Sequence, residues 1–152
     1  MMGRWLRWSG YRPDHVLCST ARRARQTWQL AQDGLGSPAP PVSFDDRVYT
    51  GQAGLLLDLV HAMSPRLGTV LIVGHDPAVP ELALRLAAGG PPPWTGETSP
   101  AVLGRMRGKF PTAAVAVFRC DGHWDKLTPG TAELICFVVP RDLKAGGGKQ
   151  DE

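Results

Sequence analysis

Two stretches of the 152-residue sequence place reactive side chains in the same local setting. In VLCSTARRARQT, the apolar run Val16–Cys18 leads into Ser19, and Arg22 and Arg23 open the helix that follows. In VLIVGHDP, an apolar run ends in Gly74, His75 and Asp76 before a second helical stretch. Each unit is a strand, a tight turn and a helix start. In open α/β sheets, ligands bind beyond the carboxyl ends of strands, where helix N-termini also gather. Arg22 and Arg23 lie in a first helical turn, where the macrodipole disfavours cations by about 0.3–1 kcal/mol each. Cations held against that field point to an anion between them and the helix start; the alternative is that they simply face water. Ser19 and Arg23, four residues apart, share one helical face. A histidine at a strand end is often structural, but Gly74 would let a ligand approach the backbone here. An Arg, a His and two helix N-termini at one sheet edge make an oxyanion or phosphoryl pocket.

The elements that would position these groups follow from periodicity. Met2, Trp5, Leu6 and Ser9 predict a helix over 2–9 with no N-cap, closed by Gly10. Ser19 is predicted to cap a helix running to Gln32 and stopped by Gly34. Val42–Phe44 reads as a short strand. Leu55, Leu56, Leu59, Val60 and Met63 share a helical face, ended by Ser64-Pro65. The continuous apolar run 69–73 predicts a strand buried on both faces. Asp76 is a predicted cap for the helix containing ELALRLAA, with Pro77 and Pro80 in its first turn and Gly89-Gly90 as its stop. Residues 89–112 read as a long Gly/Pro-rich connection with a short helix at 99–107, in which Trp94 and Lys109 are candidates to rim the pocket. Residues 112–119 and 133–139 predict an antiparallel pair joined by a long loop. From Arg141 onward a disordered tail is predicted. Alternating strands and helices imply an α/β sheet covered on both faces.

Composition narrows the class. Apolar residues make up 43% and charged residues 20%, typical of one globular domain. No apolar run reaches the roughly 18 residues of a membrane span, and the first residues carry no apolar signal core. Cys18, Cys120 and Cys136 are odd in number and form no Cys-x-x-Cys, so no zinc site is expected and a reducing cytoplasm is the default. No His/carboxylate cluster suits a metal, and neither GxxxxGK[ST] nor GxGxxG occurs, so no cofactor is implied. The net charge is +3, but six arginines against Asp14 give the first 25 residues a basic pole. A phosphorylated ligand fits that pole better than nucleic acid or a membrane, because aromatic–basic interleaving and DNA-binding signatures are absent. His15 falls at the amino edge of the sheet, His61 within a helix and His123 in the long loop.

These residues resemble a known family. CSTARRARQT is similar to the second motif of the histidine phosphatase superfamily, Ser-x-x-x-Arg-x-x-Gln-Thr at a helix start. VGHDP resembles its later Gly-His motif, and KFPTAAVAVF followed by Pro-Arg-Asp-Leu at 140–143 resembles the small SixA-type phosphohistidine phosphatases. The resemblance spans residues 2–143 and implies a three-layer α/β/α fold with a mostly parallel, phosphoglycerate mutase-like sheet. Residues 144–152 would be a tail. The implied activity is hydrolysis of a phosphorylated protein or small phospho-substrate through a phosphohistidine intermediate, without metal or cofactor. The resemblance casts Arg23 as the clamp on the phosphoryl oxygens and His75 as the donor that stabilises charge. Ser19, Arg22, Gln26 and Gly74 would support them, and Asp45 and Asp46 are candidates for a proton donor that their spacing does not decide between. Phosphohistidine needs little acid help, since its nitrogen leaves readily. The family's first motif, a central strand ending in Arg-His that carries the nucleophile, is not in this sequence. A start assigned too late, a truncated relative that binds phospho-ligands without hydrolysing them, and completion by a second copy are the competing explanations. A small basic interaction module on the same scaffold is the reading from a different class.

Overall fold

A computed structural model describes residues 1–88, 100–129 and 131–144. β1 (His15–Ser19) runs between β2 (Val42–Asp45) and β3 (Val70–Val73) in a parallel three-stranded sheet. Alternation along β1 assigns its two faces. Val16 and Cys18 pack with Leu6 of α1 (Met2–Trp8) and with Ala24, Trp28 and Leu35 of α2 (Arg22–Leu35). Leu17 points the other way, toward Val48 of α3 (Asp46–Thr50), Leu56, Leu59 and Val60 of α4 (Ala53–His61), and Leu82 and Leu86 of α5 (Ala78–Ala88). The sheet is therefore covered on both faces, the expected three-layer α/β/α arrangement. α6 (Pro100–Gly108) packs Met106 beside Ala83 and Ala87 of α5 and beside Leu134 and Phe137 of an antiparallel pair, β4 (Val115–Cys120) and β5 (Ala132–Val138).

Side-chain ties set the ends of these elements. Asp14 accepts from the Gly68 and Thr69 N–H groups at 2.8 and 2.9 Å, which fixes where β3 enters the sheet. His61 Nε2 lies 2.7 Å from the Leu127 carbonyl oxygen, and the Trp124 indole donates to Leu67 at 2.8 Å, so the β4–β5 loop is tied to α4 and the segment after it. Arg12 donates to the carbonyls of Leu35 and Pro38, a cation at the C-terminus of α2.

Four sequence-based expectations change. α2 does not stop at Gly34 but continues to Leu35, and the chain turns at Gly36, φ +78°. Gly34 is instead a crossing point: a Cβ there would lie 2.6 Å from the Arg4 nitrogen, and one on Gly3 only 1.9 Å from the Ala31 carbonyl oxygen. Asp76 is exposed and makes no hydrogen bond among the described residues; the His75 and Pro77 carbonyls accept from Val79 and Glu81 in the first turn of α5. Residues 140–144 are helical rather than disordered. Finally, β3 is half-buried along its whole length, not buried on both faces. Among the described residues its second edge pairs with no strand, and β4 pairs only with β5. The Gly89-Gly90 stop, Trp94 and residues 145–152 lie outside the described residues.

Replacing Gly3 with Ala drives a methyl group into the α1–α2 contact and is expected to cost about 1–3 kcal/mol. A lower urea midpoint at unchanged slope would report it. Gly54→Ala, where a Cβ meets nothing within 4 Å, is the control and is expected to be neutral or slightly stabilising. Equal midpoints for the two variants would refute a tight backbone crossing.

Candidate active site

The carboxyl ends of β1 and β3 do converge. In parallel register Cys18 pairs with Val73, so Ser19 and Gly74-His75 emerge side by side. Ser19 is fully buried, and its Oγ lies 2.6 Å from His75 Nε2. The same Oγ accepts from the Ala21 N–H at 3.1 Å. Ser19 is thus the last residue of β1, not the helix cap; Ala21 holds the cap position without a side-chain bond. The N–H groups of Arg22, Arg23 and Ala24 have no acceptor among the described residues, leaving the N-terminus of α2 open to an anion.

Arg23, Gly74, His75 and Asp76 line one cleft of about 520 Å³. No acid pairs with Arg22 or Arg23 among the described residues. Arg22 and Gln26 are exposed and do not line this cleft, so the fold does not bring them to the site. Arg25 turns away, its guanidinium 5.2 Å from the Phe44 ring centre. Gly74 is required by packing as much as by access: a Cβ there would meet Val79 at 2.8 Å and Val48 at 3.2 Å.

Of the two candidate acids, Asp45 is engaged. It accepts from the Arg47 backbone at 2.8 Å, capping α3, and from the Arg47 guanidinium at 3.0 and 2.7 Å. These side-chain and backbone hydrogen bonds hold its carboxyl below the usual carboxylate range, which suits a helix cap and not a proton donor. The cap is charged at neutral pH and is lost as pH falls through that lowered value. Asp46 accepts from Thr20 Oγ1 at 2.6 Å and so sits beside the β1 turn.

Sequence reasoning missed α3 and, with it, Tyr49, whose ring lies 5.3 Å from that of His75 at a 47° tilt. A five-residue helix is too short to show periodicity; the only sequence signal was an aspartate able to act as N-cap. Cys18, adjacent to Ser19, is not a nucleophile: burial pushes its thiol up to about 11, despite the field of Arg25. His15 bonds Ser43 at the amino edge, His61 contacts Leu127, and His123 is exposed in the β4–β5 loop. None of the three approaches His75. No described group of His, Cys, Asp or Glu could hold a metal, and no described helix is long and apolar enough to cross a membrane.

A solved protein assigned as phosphohistidine phosphatase SixA from Nakamurella multipartitia has a similar fold, with a TM-score of 0.76 and 30% identity over 91% of this chain and 77% of that one. The protein histidine phosphatase SixA complexed with tungstate matches with a TM-score of 0.68 and 24% identity, covering 93% and 78% of the two chains. An uncharacterized protein of Mycobacterium tuberculosis is 40% identical over 141 residues, 93% of this chain and 82% of the relative. No family model matches the chain.

Proposed function

Because the chain belongs to the histidine phosphatase superfamily, we propose that it is the phosphoryl-binding body of a SixA-type phosphatase acting on phosphohistidine carried by a protein. The observation that carries this is the joint placement of Arg23 and His75 on one cleft beside the open N-terminus of α2. An incoming phosphoryl group would be gripped by the Arg23 guanidinium and the α2 N–H groups. His75 would donate to an oxygen whose charge grows in the transition state. Three unpaired cysteines, Cys18 among them buried, agree with a reducing cytoplasm as the setting.

The resemblance assigns the nucleophile to a strand ending in Arg-His. We propose that this strand seats between β3 and β4, where the same cleft continues along Leu71, Ile72 and Val73 on one side and Ala114 and Val115 on the other. Laid parallel to β3, its carboxyl end would arrive beside His75. The histidine nitrogen would attack phosphorus as the substrate's histidine leaves, and water would then cleave the phosphoenzyme.

Adding such a strand ahead of Met1 and mixing the product with a phosphohistidine protein is expected to yield a phosphoryl adduct on the added histidine, seen by intact-mass measurement. His75→Ala should lower the rate of adduct formation by about 10²–10³-fold, the cost of one oxyanion donor. The absence of any adduct would sink the enzymatic reading. A second reading, a phospho-ligand binding domain that does not hydrolyse, is favoured by the positions of His15, His61 and His123 away from the site. It expects tungstate binding without turnover in the extended protein as well.

A further inference from the structure

Ser19 and Tyr49 both meet His75, one at the ring nitrogen Nε2 and one ring to ring at a 47° tilt. Ser19 Oγ already accepts the Ala21 N–H. Its own proton needs an acceptor, because the residue is fully buried. Among the described residues the one acceptor in reach is His75 Nε2, at 2.6 Å. A serine that donates to Nε2 makes that nitrogen the bare one and leaves the proton of the neutral imidazole on Nδ1. Nδ1 has no partner among the described residues.

The contact with the Tyr49 ring restricts the remaining freedom of the imidazole. Tyr49 stands on α3, and α3 is itself seated by two ties: the Asp45 cap and the Thr20 bond to Asp46. The Tyr49 ring, 5.3 Å from that of His75, limits rotation away from the cleft. The Tyr49 side chain is otherwise exposed and buries no core.

We propose that Ser19 and Tyr49 are positioning residues that hold His75 as its Nδ1–H tautomer, with Nδ1–H the donor presented to the bound anion. The last clause rests on the phosphoryl-site reading above; the tautomer does not. This arrangement follows the general pattern in which a hydrogen bond to one imidazole nitrogen selects what the other offers.

The test is ¹⁵N-edited NMR of the histidine rings in the 152-residue protein, at a pH where His75 is neutral, with and without tungstate. The expected result is a protonated Nδ1 and a bare, hydrogen-bond-accepting Nε2 on His75, with the Nδ1–H signal moving on addition of tungstate. A wild-type His75 protonated on Nε2 overturns the proposal outright, with no variant needed. If tungstate binds and Nδ1–H ignores it, the anion-facing role is overturned while the phosphoryl reading and the Ser19 lock stand; if tungstate does not bind at all, the phosphoryl reading is overturned.

Two variants separate positioning from mere structure. Ser19→Ala is expected to shift His75 toward the Nε2–H form. Tyr49→Phe should keep the wild-type tautomer and tungstate affinity, whereas Tyr49→Ala should weaken tungstate binding about 3- to 10-fold without changing the thermal midpoint. Equal affinities for Tyr49→Phe and Tyr49→Ala would remove Tyr49 from the proposal.

Discussion

Replacing Arg23 with Ala is expected to weaken tungstate or phosphate binding by about 10- to 100-fold while leaving thermal stability unchanged or slightly higher. The two halves have different causes. Charge-assisted hydrogen bonds contribute roughly 1.5–3 kcal/mol, about one to two decades of affinity. Without an anion, however, Arg23 sits in the first turn of α2 with no acidic partner among the described residues. Removing that cation relieves about 0.3–1 kcal/mol of unfavourable interaction with the helix dipole. A structural arginine would behave in the opposite way, losing stability and leaving anion affinity alone. Titration calorimetry paired with a melting curve distinguishes them, and equal tungstate affinity in Arg23→Ala and the wild type would remove the phosphoryl pocket. Arg22→Ala sharpens the comparison. Arg22 does not line the cleft, so its removal should change affinity less than Arg23→Ala while giving a similar relief at the helix end.

The sequence made Arg23 and His75 legible because each follows a strand and opens a helix, and the parallel register then forces the two turns together. The layer assignment was legible for the same reason: alternation along β1 separates Val16 and Cys18 from Leu17. What escaped was set by contacts between segments distant in the chain. Gly34 reads locally as a helix stop, yet its role is the close crossing with α1, invisible in a window around residue 34. Asp45 and Asp46 are adjacent and identical in type. Only the fold shows that one caps α3 and pairs with Arg47 while the other takes the Thr20 hydroxyl. Tyr49 reaches His75 through a helix of five residues, below the length at which any pattern shows. β3 is the most instructive case. Its unbroken apolar run has the character of a strand enclosed on every side. In the described structure that enclosure is incomplete.

The incomplete enclosure leads to a prediction about stability as large as the one about binding. An extended apolar peptide ending in Arg-His, supplied at about 100 times its dissociation constant, should stabilise the protein by about 2.7 kcal/mol. For a chain of this length that corresponds to a rise in melting temperature of about 5–10 °C. The driving force is specific to the site. The peptide would pair its backbone with the edges of β3 and β4 that carry no strand among the described residues and cover Leu71, Val73 and Val115, which are only partly buried. A peptide of the same composition with prolines at alternate positions lacks the N–H groups to bridge the two edges and should give no shift. Leu71→Glu should abolish the gain by placing a carboxylate in an otherwise apolar wall. A melting temperature that rises with protein concentration alone would instead identify a second copy as the occupant of the cleft. No shift under either condition would mean that β3 and β4 are stable free edges, and the nucleophile would then have to reach His75 by another route.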